Sequence, residues 1–243
     1  MALKGTEDMW APDVHFGGDT YYLYYAVSSF GTQNSFIGVA TSKTMEPGSW
    51  TDHGSTGITS ETGDNFNAID PNFIRVRGVN FLTFGSFWKG IHQTTLSADA
   101  LTGPDTTPYP VESEPKRGYA TEGSYVYAHG GYYYLFFSEG QCCGYDKHRP
   151  PPGGEYKIKV CRSKAVNGGF VDQSGVSCQD GGGTLVLGSH GNVYGPGGQG
   201  VYDDPTEGPV LYYHYVDTNY GYGDGSKFLG VNRIDFSTGW PVV

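Results

Sequence analysis

Ala120-Thr121-Glu122-Gly123-Ser124-Tyr125-Val126-Tyr127 passes through Ala128-His129-Gly130-Gly131 into Tyr132-Tyr133-Tyr134-Leu135-Phe136-Phe137. An acidic residue in a tight motif, a short alternating strand, a glycine turn and a dense aromatic strand spell a β-hairpin, because glycine takes positive φ without strain. The same form occurs upstream. Trp10-Ala11-Pro12-Asp13 precedes Val14-His15-Phe16, the turn Gly17-Gly18-Asp19 and Tyr21-Tyr22-Leu23-Tyr24-Tyr25. Asn67-Ala68-Ile69-Asp70-Pro71 precedes Asn72-Phe73-Ile74 and Phe81-Leu82-Thr83-Phe84. Downstream, Tyr202-Asp203-Asp204-Pro205 precedes Val210-Leu211-Tyr212-Tyr213-His214-Tyr215.

The units recur at roughly 50–80 residues, the length of elaborated propeller blades. Ile37–Ser42 and Ile158–Ser163 read as third strands, and Trp50–Gly54 and Phe170-Val171-Asp172 as outer fourth strands. The fold class expected is all-β, a β-propeller with about four blades in the chain, and 1–243 reads as one domain.

Composition agrees. Of 243 residues, 39 are glycine and 20 tyrosine, and aromatics reach 15%, which excludes disorder and suits short strands joined by tight turns. A net charge of −10 without any Lys/Arg-rich run excludes nucleic acid as a partner. No stretch approaches the roughly 20 apolar residues of a membrane span, and a monomer is expected. Met1-Ala2-Leu3-Lys4-Gly5 has no apolar signal-peptide core. Cys142, Cys143, Cys161 and Cys178 lack zinc spacing. One or two ordinary disulfides are expected among them, with four free thiols as the alternative; the adjacent pair would be strained if bonded to itself, and disulfides fit an oxidising compartment.

Blade starts gather beside a propeller axis, so acidic residues there converge although distant in sequence. Two carboxyls across a cleft are the minimum equipment for glycoside hydrolysis: one protonates the leaving oxygen, the other activates water or attacks the sugar. Asp70 and Glu122 are the candidates. Each also has a plain reading, Asp70-Pro71 as a strand-start turn and Glu122 as an exposed turn residue. Asp13 reads as structural, and Asp203-Asp204 as a turn or a cation site. Trp10, Phe30, Phe87 and Trp88 offer flat rings for stacking on sugars. His214, on an expected innermost strand, reads either as a buried, hydrogen-bonded histidine or as a ligand to an axial cation.

Taken together, Trp10-Ala11-Pro12-Asp13, Asn67–Pro71, Gly85-Ser86-Phe87, Thr121-Glu122-Gly123, Asn192-Val193-Tyr194-Gly195-Pro196-Gly197-Gly198 and Tyr212–Tyr215 resemble, in order and across the chain, the signature segments of arabinanases of glycoside hydrolase family 43. Cys161, Cys178 and the Trp240-Pro241 ending resemble secreted fungal members. The resemblance implies a five-bladed propeller that cuts internal α-1,5 bonds of arabinan or arabino-oligosaccharides with inversion. It implies Glu122 as general acid and Asp70 as the carboxylate that tunes and orients it. Asn67, Ala68, Ile69, Asp70, Gly85, Ser86 and Phe87 would contact substrate, with Phe30, Gly31 and Trp10 lining the cleft. His214 would serve one central calcium or sodium ion.

The family's general base is an aspartate in a His-Asp-Pro motif of the first blade, and that motif does not occur in these 243 residues. The chain therefore reads as lacking the first blade and as impaired alone. Two other readings stay open: a non-catalytic propeller that binds arabino-oligosaccharide, and a sister α-L-arabinofuranosidase or β-xylosidase.

Overall fold

A computed structural model describes residues 9–118 and 120–243; the Met1-Ala2-Leu3-Lys4-Gly5 segment read for a signal-peptide core lies outside them. The described residues form fifteen strands in four antiparallel sheets, each a meander in which sequence neighbours pair. This is the connectivity of propeller blades. The chain divides into two compact units, 1–113 and 114–243.

In the first unit, β1 (Met9–Gly17), β2 (Thr20–Ser28), β3 (Ser35–Ser42) and β4 (Thr51–Ser60) make one sheet, in that order. β5 (Asn72–Val76), β6 (Val79–Phe84), β7 (Ile91–Leu96) and β8 (Tyr109–Glu112) make the second. Tyr24, Ile37, Val39 and Ile58 of the first sheet pack against Phe73, Leu82, Phe84 and Leu96 of the second. Alternation along each strand delivers these side chains to one face. Tyr24 Oη finds the Ala100 carbonyl at 2.7 Å, so the buried hydroxyl is satisfied.

In the second unit, β9 (Thr121–His129), β10 (Tyr132–Glu139), β11 (Lys157–Ser163) and β12 (Thr184–Leu187) form a four-stranded sheet. β13 (Val193–Asp204), β14 (Gly208–Asp217) and β15 (Lys227–Arg233) form a three-stranded one. Tyr134, Phe136, Ile158 and Val160 meet Val201, Leu211 and Tyr213, with Ile234 and Trp240 of the C-terminal tail closing the cluster. The hairpin turns follow the glycines: Gly18 at φ 73°, Gly130 at 57° and Gly131 at 76°.

Several expectations need correction. Phe170-Val171-Asp172 is not the outer strand of its sheet; that place belongs to β12. Phe170 is buried, Val171 makes single bridges to Arg162 and Ser177, and Asp172 turns the chain by accepting from Ser174 N and Val176 N at 2.9 Å each. Tyr202-Asp203-Asp204 does not start a blade. It ends β13, and Asp204 caps the hairpin by accepting from Thr206 N and Glu207 N. The start of that sheet carries glycines instead of an acid. His214 lies on β14, the middle strand, not on the first. Cys161 and Cys178 form an ordinary buried disulfide with Cα atoms 6.3 Å apart. Cys142 and Cys143 are bonded to each other, against expectation, in the loop after β10, where no ladder fixes their backbone.

Candidate active site

In the first unit, the candidate substrate residues sit where β5 begins and β6 ends. Asn67, Ala68 and Ile69 are buried. Ser35 Oγ donates to Asn67 Oδ1 at 2.7 Å, Ala68 N donates to Ser60 Oγ at 2.8 Å, and Gln33 Nε2 donates to the Asp64 and Phe66 carbonyls at 2.9 and 3.1 Å. The segment is thus fixed by β3, β4 and the loop before β3. Gly85 N donates to Ile69 O at 2.8 Å, joining Asn67–Asp70 to Gly85-Ser86-Phe87.

Both segments hold left-handed residues. Asp70 has φ 55°, which aspartate tolerates, while Phe87 at 57° and Trp88 at 48° take a conformation that bulky residues rarely adopt. Gly85, at 130°, is in a region open only to glycine, and a Cβ there would run into the Gly90 carbonyl. Strained residues concentrated at one strand end, held by a satisfied network, mark a place where geometry has been kept at the expense of stability. Asp70, Phe87 and Trp88 are half-buried there.

Trp10 and Phe30 come together as a ring pair with centroids 6.1 Å apart. Phe30, beside Gly31 in the turn after β2, is 82% exposed, a large apolar face open to a ligand. Asp13 has the structural job its spacing suggested: its carboxylate accepts from Phe73 N, Asn72 Nδ2 and His15.

In the second unit, Glu122 is the second residue of β9. A bulge between the pairs Phe136–Tyr125 and Ser138–Glu122, with Gly123 at φ 61°, re-aims the strand at this point. Ser138 Oγ donates to Gln199 Oε1 at 2.7 Å, Gly198 N donates to Ser138 Oγ at 2.9 Å, and Gln199 Nε2 donates to Gly123 O at 2.6 Å. Tyr156 Oη donates to Glu122 Oε1 at 2.8 Å.

Tyr156 also stacks on His214, with centroids 5.9 Å apart and rings 22° from parallel. Glu122 and His214 are therefore brought to one aromatic residue. The run Gly195-Pro196-Gly197-Gly198 explains how. A methyl group at Gly197 would overlap the Tyr156 ring, and one at Gly198 would press on the His214 ring. Glycine lets His214 reach across the first strand from the middle one.

Burial pushes His214 down to about 4, helped by the Lys227 ammonium and opposed by Asp224. The imidazole is accordingly neutral near pH 7, and its buried Nδ1 has no hydrogen-bond partner. A neutral imidazole with an orphaned nitrogen fits a cation held directly or through water. Among the described residues, no group of three or more His, Cys, Asp or Glu is placed to hold a metal alone. Lys227 is itself lowered by burial, against the pull of Asp224 and Glu122, and its Nζ donates to Cys142 O at 3.2 Å.

Sequence reasoning missed Tyr156 and Lys227. The glycines of the Asn192–Gly198 motif are the signal for Tyr156, since three close glycines in a strand imply rings lying over them. Lys227 left no such signal.

Residues 1–241 match the profile of the Glycosyl hydrolases family 43. The chain is similar to a probable arabinan endo-1,5-α-L-arabinosidase A of Aspergillus flavus, 63% identical over 240 residues that span 99% of this chain and 75% of that protein. It is 57% identical over 241 residues to the arabinan endo-1,5-α-L-arabinosidase A of Aspergillus niger, again over 99% of this chain and 75% of the relative. Its backbone is similar to that of a Bacillus subtilis arabinanase, with a TM-score of 0.84 and 36% identity over 97% of this chain and 76% of that one.

Proposed function

The chain belongs to the Glycosyl hydrolases family 43, and from that premise we propose that it is an arabinan endo-1,5-α-L-arabinosidase acting on internal α-1,5 bonds with inversion. The observation that carries this is the 63% identity to the Aspergillus flavus relative across nearly the whole chain. We further propose one propeller domain of the five-bladed type over 1–243, monomeric and secreted; the Cys161–Cys178 bond supports secretion, because disulfides persist in oxidising compartments.

In this reading Glu122 is the general acid, and Asp70 is the carboxylate that orients it. Asn67–Asp70 and Gly85–Phe87 contact the arabinose units, while Trp10, Phe30 and Gly31 line the approach. The left-handed turn that holds Asp70 and the bulge that aims Glu122 support these roles. His214 would hold a central calcium or sodium ion, which when bound would supply fixed positive charge.

An inverting site needs a proton donor on one side of the sugar and a base for the attacking water on the other. These 243 residues contain no His-Asp-Pro, and the base is assigned to none of them.

The test is reducing-sugar release from debranched arabinan, with calorimetric binding of arabino-oligosaccharides in parallel. Release of short oligosaccharides that Glu122→Gln abolishes is the expected result. Release of arabinose alone favours the exo-acting sister enzymes, and binding without release favours the binding module. Neither binding nor release overturns the proposal.

A further inference from the structure

We propose that Tyr156 is a positioning residue for the proton donor: its hydroxyl occupies Oε1 of Glu122 and thereby assigns the transferable proton to Oε2. The proposal rests on Glu122 being the general acid and adds the residue that aims it. Tyr156 is almost wholly buried, and its Oη lies 2.8 Å from Glu122 Oε1.

The phenol has little freedom to move. One face of its ring lies over Gly197, where any side chain would collide with it, and His214 stacks on the ring at 5.9 Å. The Tyr156 backbone N–H donates to Tyr145 Oη at 3.3 Å, and Tyr145 in turn donates to the Gln141 carbonyl, next to the bonded Cys142–Cys143 pair. Tyr145 lies against Gly195 and meets Tyr194 edge-on at 4.9 Å. The 140–156 loop thus arrives at Glu122 through two locked tyrosines, each over a glycine of β13.

The chemistry needs such a device. A carboxylic acid has one proton and two oxygens, and a freely turning carboxyl would present the wrong oxygen to the sugar for much of the time. A donor fixed on Oε1 makes that oxygen the acceptor, so the O–H is carried by Oε2. When the C1–O bond breaks, its electron pair goes to the leaving oxygen, which takes the proton from Oε2. The carboxylate left behind bears charge on Oε1 as well, and the phenol's hydrogen bond becomes charge-assisted at that moment. The contact is therefore stronger after proton transfer than before, which is the condition for it to lower the barrier.

The test is Tyr156→Phe, which keeps the ring over Gly197 and removes only the hydroxyl. Two readouts are taken in the full chain. The first is the side-chain carboxyl ¹³C resonance of Glu122, identified by its loss in Glu122→Gln. It is expected to move and broaden in the phenylalanine variant; an unchanged resonance overturns the proposal. The second is turnover of debranched arabinan against an aryl arabinobioside whose phenol leaves without protonation. On arabinan kcat is expected to fall about 10–100-fold with KM kept, and on the aryl substrate to change by less than about threefold. Equal losses on both substrates overturn it. If the unaltered chain hydrolyses neither substrate, the hydrolase reading fails, and the carboxyl resonance alone still decides whether Tyr156 positions Glu122.

Discussion

Asp13 Oδ2 accepts a hydrogen bond from the backbone N–H of Phe73 at 2.8 Å, across 60 residues of chain. The same oxygen takes His15 at 2.7 Å and Asn72 Nδ2 at 3.2 Å. One buried carboxylate therefore ties β1 to the first residues of β5. Asp13→Ala leaves the Phe73 N–H without its acceptor and costs about 1–3 kcal/mol of stability, with Asp13→Asn costing less. Chemical denaturation of the two variants checks this order.

Glu139, 1% exposed, faces three cations: Lys159 Nζ at 2.6 Å from Oε2, Lys157 Nζ at 3.4 Å from Oε1, and Arg117 on Oε1. Burial alone would raise its carboxyl, but the Lys159 hydrogen bond and the three positive charges outweigh that and hold it below a glutamate's ordinary 4.5. A depressed carboxylate stabilises the fold fully above its unfolded value and loses that contribution as pH falls through the lower folded value. Unfolding free energy should thus decline below about pH 4.5 by an amount that Glu139→Gln abolishes. Glu139→Ala, which strands two largely buried lysines, should cost about 3–5 kcal/mol at pH 7.

His214 gives the opposite sign. Its folded value near 4 lies below the ordinary 6.5, because burial disfavours the imidazolium. Between pH 6.5 and 4 the unfolded chain binds a proton that the folded one refuses. Stability should therefore fall on acidification through this window, by up to about 1.4 kcal/mol per pH unit, and the slope should flatten in His214→Gln. Added calcium or sodium should raise the melting temperature of the parent chain and not of the variant.

Cys161 and Cys178 are both wholly buried, and their bond closes a short loop across the end of β11. The paired change Cys161→Ser with Cys178→Ser should cost about 2–4 kcal/mol. The thermal melting point of this double variant, against the parent under non-reducing conditions, measures it.

What could be read from the residue order was what depends on near neighbours. The hairpins over 10–28, 72–84 and 121–139 follow from alternating strands and positive-φ glycines, and the structure places them within a few residues of expectation. Asp203-Asp204 misled as a blade start and not as a turn, because the letters of a strand-start motif also make a hairpin cap; only pairing with Gly208 and Pro209 tells the two apart. Val171 has strand chemistry but meets too little of β11 to extend a ladder. The strain at Phe87 and Trp88 was invisible, since neither is a residue type that announces positive φ. Tyr156 was one tyrosine among 20, distinguished only by the glycine opposite it.

Along β13, Gly195, Gly197, Gly198 and Gly200 lie beneath Tyr145, Tyr156, His214 and Tyr212 respectively. At Gly197 and Gly200 the ring alone forbids a side chain, so the order of change is fixed: the ring must shrink before the space over the strand can fill, and the reverse order passes through a collision. At Gly195 and Gly198 a positive φ adds a second bar, and glycine is required there even after the ring is gone.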